Sequence, residues 1–127
     1  MIARIWRGIT LREKADDYLS YLQGTGLKDY AATPGNRGVT VLRRDQGENC
    51  EIMLISLWDS IDAVREFAGQ NVDQSVYYPE DDQYLLQMEP LVRHYDVFDH
   101  VAHDPAAASA IAAAAASDAA DGKGKPR

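Results

Sequence analysis

The sequence predicts an α+β domain over residues 1–102, built on a four-stranded antiparallel sheet, and a low-complexity tail over residues 103–127. Three observations predict it. Apolar segments recur in the order strand, helix, strand, strand, helix, strand. The third strand carries large apolar side chains on both of its faces. Beyond His103 the composition collapses to alanine.

Ile2 to Ile9 mixes β-branched and aromatic residues and reads as the first strand. Ile2 and Trp6 share one face; Ala3, Ile5 and Ile9 share the other, so the strand is covered on both sides. Thr10 followed by Glu13 has the spacing of a capping box, and Ala15, Tyr18, Leu19 and Leu22 follow at helical spacing. Gly24 and Gly26 end that helix. Leu27 to Asn36 reads as loop, with Thr33-Pro34-Gly35-Asn36 as its turn. Gly38 to Arg44 and Cys50 to Trp58 are strands joined across Gly47, a hairpin pattern. Ser60 caps a second helix whose buried stripe is Ile61, Val64, Phe67 and Ala68. Pro79 opens a short helical turn with Tyr84, Leu85 and Met88 on its apolar face. Pro90 breaks the chain, and Leu91 to Val101 is the last strand.

This order is the ferredoxin-like βαββαβ split plan. Two helices cover one face of its sheet. The other face is apolar as well, and the simplest cover for it is a second copy of the chain, which predicts a homodimer. The alanine tail favours helix but lacks side chains to anchor one, so a frayed helix or disorder is expected there.

Composition excludes several function classes. The formal charge is −7. In the tail, Asp104, Asp118 and Asp121 balance Lys123, Lys125 and Arg127, so the whole excess sits on residues 1–102 and disfavours nucleic acid as a partner. The single cysteine, Cys50, forms neither an internal disulfide nor a CxxC metal site. No segment reads as a signal peptide or membrane span, which makes the cytoplasm the default compartment. No glycine-rich phosphate loop, GxSxG or HExxH pattern is present, so no nucleotide, flavin or metal cofactor is expected.

Leu57-Trp58-Asp59-Ser60 with Ala63, Phe67, Ala68 and Gly69 resembles the antibiotic-biosynthesis-monooxygenase domain family. So do the Val-Tyr-Tyr-Pro-Glu-Asp-Asp string from Val76 to Asp82, the closing Val92-Arg93-His94-Tyr95-Asp96-Val97, and the Thr33-Pro34-Gly35 turn. The resemblance covers residues 1–100. It implies a dimeric α/β barrel and a function among cofactor-free oxidations of phenolic compounds, haem degradation, or a non-catalytic small-ligand or stress-related role. Haem-degrading relatives carry an axial histidine in the second helix and an asparagine in the first strand. Here Phe67-Ala68-Gly69 stands in that helix and the first strand has no asparagine, which speaks against haem.

Candidate site residues follow from both readings. His94, inside the last strand, is either a proton acceptor for a phenol or a buried histidine bonded to a carbonyl or acid. Trp58 is either a pocket wall whose indole N–H holds a substrate oxygen or core packing; the resemblance favours the pocket. Tyr78, with Tyr77 before it, is held extended by Pro79 and either presents a phenol to a substrate carbonyl or packs at a loop edge. Leu54 and Ser56 share the face of Trp58. Arg93 and Tyr95 flank His94 and line the cavity instead if the strand turns the other way. Glu80, Asp81 and Asp82 read as acids favoured by a helix start rather than as a metal site. The resulting expectation is a cofactor-independent monooxygenase acting with O2 on a small aromatic or phenolic compound, its site built from His94, Trp58 and Tyr78 with Leu54, Ser56, Tyr77, Arg93 and Tyr95.

Overall fold

The structure, a computed structural model, describes residues 1–120 of the 127. Strand β1 (Ile2–Leu11) sits in the middle of the sheet. Its even-numbered residues Arg4, Trp6, Gly8 and Thr10 are buried, while the odd-numbered ones are half-buried. Strand β3 (Asn49–Trp58) repeats this alternation, burying Cys50, Ile52, Leu54, Ser56 and Trp58. The two pair antiparallel along their full length, with Arg4 opposite Ser56 and Trp6 opposite Leu54. Period-two patterning thus fixes one register, because a one-residue slip would turn every buried group outward.

Strand β2 (Asn36–Gln46) joins β3 through the two-residue turn Gly47-Glu48, where Gly47 has φ +59°, a conformation L side chains rarely adopt. β2 forms the free edge of the sheet; its pairing with β3 shifts register between Asn36 and Val39, and it is exposed from Thr40 onward. The opposite edge of β1 is shared by two short strands, β4 (Leu85–Gln87) near Thr10 and β5 (Arg93–Asp96) near Ile2. The order β2-β3-β1, then β4 with β5, is the ferredoxin-like α+β arrangement with its last strand broken in two.

Helices α1 (Ala15–Gly24), α2 (Gly26–Ala32) and α3 (Ile61–Ala68) supply the rest of the core. Ala15, Tyr18, Leu22, Tyr30 and Val64 are buried with Ile52, Leu54 and Trp58. Aromatic rings dominate this layer. Tyr30 stacks on Phe67 at 4.3 Å between centroids, and Trp58 lies 5.7 Å from Phe67. Ser60 caps α3, its Oγ accepting from the Ala63 N–H at 3.2 Å. On the other face of the sheet Ile5, Met53, Ile55 and Leu57 remain half-buried, and Arg7 bridges Glu51 and Glu89.

Four local expectations change. Thr10 does not cap a helix: β1 runs on to Leu11, and the Thr10 hydroxyl donates to the Tyr84 carbonyl at 2.8 Å. The segment read as loop contains α2, because Gly26 and Tyr30 are buried together one turn apart. After Pro79 only a 3-10 turn forms (Asp81–Gln83), and Leu85 enters β4 rather than a helix. The last strand is only β5, four residues long: Leu91 and Val92 before it pair with the chain at Asp73–Ser75 rather than with β1.

Residues 98–127 group as a separate unit from residues 1–97. Within it Pro105–Ala120 is helical (α4), and residues 121–127 of the tail lie outside the described residues. Asp104 starts α4 by accepting from the Ala106 N–H at 3.0 Å, with Pro105 in the first turn. Among the described residues no helix is long and apolar enough to cross a membrane.

Gly8 marks the tightest point of the sheet. A Cβ there would stand 2.4 Å from Trp6 Cη2 and 3.1 Å from Leu85 Cδ2, because the indole folds back over the strand. Gly8→Ala is expected to cost about 1–3 kcal/mol through overpacking. Calorimetry would show this as a lowered melting temperature; an unchanged one would mean that the Trp6 ring is free to move aside.

Candidate functional site

Between the sheet and the helices lies a cavity floored by Arg4, Trp6 and Leu54. Tyr18, Leu22, Tyr30 and Phe67 wall it, and Tyr77, Tyr78 and Asp81 close it. It contains about 370 Å3 of non-atom space including its mouth, but only about 20 Å3 is open to the centre of a water-sized sphere. That is room for roughly one water.

Alternation along β1 carries Arg4 and Trp6 to this floor. Arg4 is 1% exposed. It donates from Nη1 to the Val72 carbonyl at 3.2 Å and from Nη2 to the Gln74 carbonyl at 3.0 Å, and its guanidinium lies 5.7 Å from the Phe67 ring centre. Burial pushes its pKa down, with partial compensation from Tyr30 and Asp73. Asp81 reaches the cavity because Pro79 holds Tyr78 extended and the 3-10 turn folds the acid back beneath it. One carboxylate oxygen accepts from the Tyr78 N–H at 2.5 Å. Burial raises the Asp81 pKa, against the opposing pull of that N–H.

Three buried polar atoms have no protein partner here: Arg4 Nε, Trp6 Nε1 and Asp81 Oδ1. Buried polar groups are almost always paired in folded proteins, so these three groups call for a water or a ligand in the aromatic-walled cavity. Two are donors and one is a carboxylate oxygen.

The residues named from sequence separate into three groups. Leu54, Tyr77 and Tyr78 line the cavity. Both tyrosine hydroxyls point to protein partners, Tyr77 to the Glu89 carbonyl at 2.5 Å and Tyr78 to the Asp29 carboxylate. Burial and that carboxylate together push the Tyr78 phenol up. Ser56 and Trp58 are fully buried outside the lining: the Trp58 indole donates to Ser56 Oγ at 2.9 Å, and Ser56 donates to the Arg4 carbonyl at 3.3 Å. His94 pairs across the sheet with Arg4 but does not line the cavity either. Its Nδ1 lies 3.1 Å from Asp73 Oδ1, and its Nε2 is buried without a partner. Arg93 and Tyr95 project from the opposite face of the sheet, beside Ile5, Arg7 and Met53.

Arg4 and Trp6 are not among the site residues named from sequence. Parity held the signal, since Arg4 stands between Ile2 and Trp6 on the same buried face. Nothing in the run Glu80-Asp81-Asp82 distinguished its middle acid.

No family model matches the chain, and no curated protein matches it significantly. Solved structures do match. The structure of Rv0793 from Mycobacterium tuberculosis aligns at 20% identity with a TM-score of 0.54, covering 80% of this chain and 98% of that one. A mutant of MhuD crystallised with two manganese protoporphyrin IX molecules per active site aligns at 17% identity and TM-score 0.54, covering 81% and 100%. The likeness is one of fold, and it agrees with the ferredoxin-like architecture implied by the sequence resemblance.

The site makes a pH prediction. Burial lowers the His94 pKa beneath the ordinary histidine value of 6.5, a shift that Asp73 opposes. Below 6.5 the unfolded chain therefore binds the proton before the folded one does. The contribution is full above that value and is lost as pH falls through the folded pKa. In urea unfolding, the wild type should lose more stability between pH 7 and pH 5 than His94→Gln. Identical losses would show that the imidazole is not held neutral.

Proposed function

We propose that this cavity binds a small aromatic or phenolic compound and that the protein oxidises it with O2 without a cofactor. The observation that carries the reading is that three of the residues lining this aromatic-walled cavity, Arg4, Trp6 and Asp81, each have a buried polar atom without a protein partner. In this reading Asp81 accepts the phenol proton and the resulting phenolate gives an electron to O2. One oxygen atom becomes a second ring carbonyl and the other leaves as water with the two hydrogens the ring loses, so that phenol and O2 give a quinone and water and the substrate itself is the reductant. Burial makes an ionised Asp81 a stronger base than an exposed one. Trp6 and Arg4 hold developing negative charge on oxygen. His94 and Trp58 act as positioning residues: His94 backs Arg4 from the neighbouring strand, and Trp58 fixes Ser56 beneath it. Tyr77 and Tyr78 serve as walls, and the segment that carries them moves outward to admit a ring larger than the space now open.

The residues present do not fit a porphyrin. No histidine lines the cavity to give a porphyrin iron the axial ligand it would need. A non-catalytic binding protein using the same cavity is the second reading. It is favoured by the Trp58 indole and both tyrosine hydroxyls being bonded to protein groups, which leaves few side chains free for proton transfer.

Oxygen uptake with hydroquinones and naphthols separates the two. The monooxygenase reading expects uptake that falls on the order of 100-fold in Asp81→Asn, with an unchanged melting temperature. Ligand-induced tryptophan quenching without oxygen uptake would leave only the binding reading.

We also propose a homodimer, with the second copy covering the half-buried Ile5, Met53, Ile55 and Leu57 face. An obligate interface of that kind buries above roughly 2,000 Å2. Light scattering at micromolar concentration should give twice the 14.1 kDa chain mass. A stable monomer would overturn the assignment.

A further inference from the structure

We infer that the cavity takes its ligand as an anion, an aromatic acid whose carboxylate sits against Arg4 and Trp6. The inference rests on the reading of the cavity as a ligand site and adds to it the charge that the ligand carries.

Arg4 carries its charge without a direct counter-ion. It takes part in no ion pair among the described residues, although it is 1% exposed. Carbonyl dipoles from Val72 and Gln74 and the face of Phe67 solvate the guanidinium in part. They do not neutralise it, and an uncompensated charge away from water is among the most costly groups a protein can bury.

One carboxylate acts on Arg4 and a second lines the same cavity, and neither completes the pair. Asp73 acts on Arg4 from a distance, but its carboxylate is engaged by His94 and its side chain is 66% exposed. Asp81 lines the same cavity without an ion pair to Arg4, and its burial favours the uncharged form.

The free hydrogen-bonding positions indicate the missing group. Arg4 Nε–H is unpartnered, and each Nη carries a second hydrogen beyond the one given to a carbonyl. The edge formed by Nε–H and one Nη–H is the side of a guanidinium that meets a planar carboxylate with two parallel bonds. Trp6 Nε1, unpartnered on the same floor, is a further donor. A neutral ring would fill the apolar space and leave the charge as it stands. A carboxylate satisfies the charge and the donors together. The outer surface, at −7 overall, repels anions, so the selection is made inside the cavity, where charges are least screened.

The test uses the full chain and an isosteric pair, 2-hydroxybenzoate and 2-hydroxybenzamide, titrated by calorimetry at pH 6.5. The acid should bind at least roughly tenfold more tightly than the amide, the order expected of one charge-assisted contact. Arg4→Met should bring the two affinities together, and Arg4→Lys should keep the acid ahead by a smaller factor. Melting temperatures report whether each variant folds. If Arg4→Met does not, the wild-type pair and Arg4→Lys still decide. Equal binding of acid and amide by the wild type would overturn the anion inference and leave the cavity reading standing. Preference for the acid that survives in Arg4→Met would overturn Arg4 as the anchor. Failure of both compounds and of phenol to bind at millimolar concentration would overturn the ligand site itself, and this inference with it.

Discussion

A guanidinium on an alternating strand cannot leave the face to which alternation assigns it. β1 is paired on both edges, so its register is fixed from two sides and Arg4 must point into the helix layer. Much of the neighbouring structure answers to that burial. The irregular chain around Val72–Gln74 lies over the sheet edge, where its carbonyls receive the two Nη groups. The same stretch is held from the other side: the Val92 N–H donates to the Asp73 carbonyl at 2.8 Å, and the Ser75 N–H donates to the Pro90 carbonyl at 2.8 Å. Asp73, carried in by this arrangement, then meets His94. A segment with almost no regular secondary structure is thereby given one conformation by a buried charge and a few backbone bonds.

The aromatic residues divide the remaining work. Trp58, Tyr30 and Phe67 form a packed block at one end of the sheet, Tyr30 stacked on Phe67 and Trp58 tilted against both, where Trp58 is sealed and its N–H internal. Tyr18, Tyr21 and Tyr84 form a second block between α1 and the chain entering β4. The cavity lies between them, with Trp6 and Tyr77 in edge contact at 6.4 Å. Its walls are largely aromatic planes, and its unpaired polar atoms are few, a combination that favours orientation over broad affinity.

The fold was legible in the sequence because it depends on period and order. The alternation in β1 and β3, the hairpin glycine and the Ser60 cap are local signals, and each acts locally in the structure. What sequence did not disclose depends on contacts between distant residues. Thr10 looked like a helix cap because Glu13 stood at the right spacing, yet its hydroxyl bonds a carbonyl 74 residues away. Trp58 and His94 drew attention as chemically versatile residues, but the cavity-lining residues with unpaired buried polar atoms are Arg4, Trp6 and Asp81. An arginine in a strand reads as surface until its face is known, and an acid after proline reads as a cap until its turn is seen. Both judgements needed the packing of the 71–84 segment, which carries no periodic pattern.

The free edge at β2 has a consequence for the chain while it is still folding. An exposed strand of eleven residues offers a row of unpaired backbone groups on which another chain can template. This one is interrupted by the register shift between Asn36 and Val39 and by the charged run Arg43-Arg44-Asp45, with Arg43 tied to Asp16 at 2.8 Å and to Asp45 at 3.2 Å. Adding a foreign strand there would bring such charges into a row and strip them of water. The edge therefore works as a gatekeeper: it discourages fibrillar growth during the interval in which the β1–β3 pairing, separated by some forty residues of chain, has yet to form.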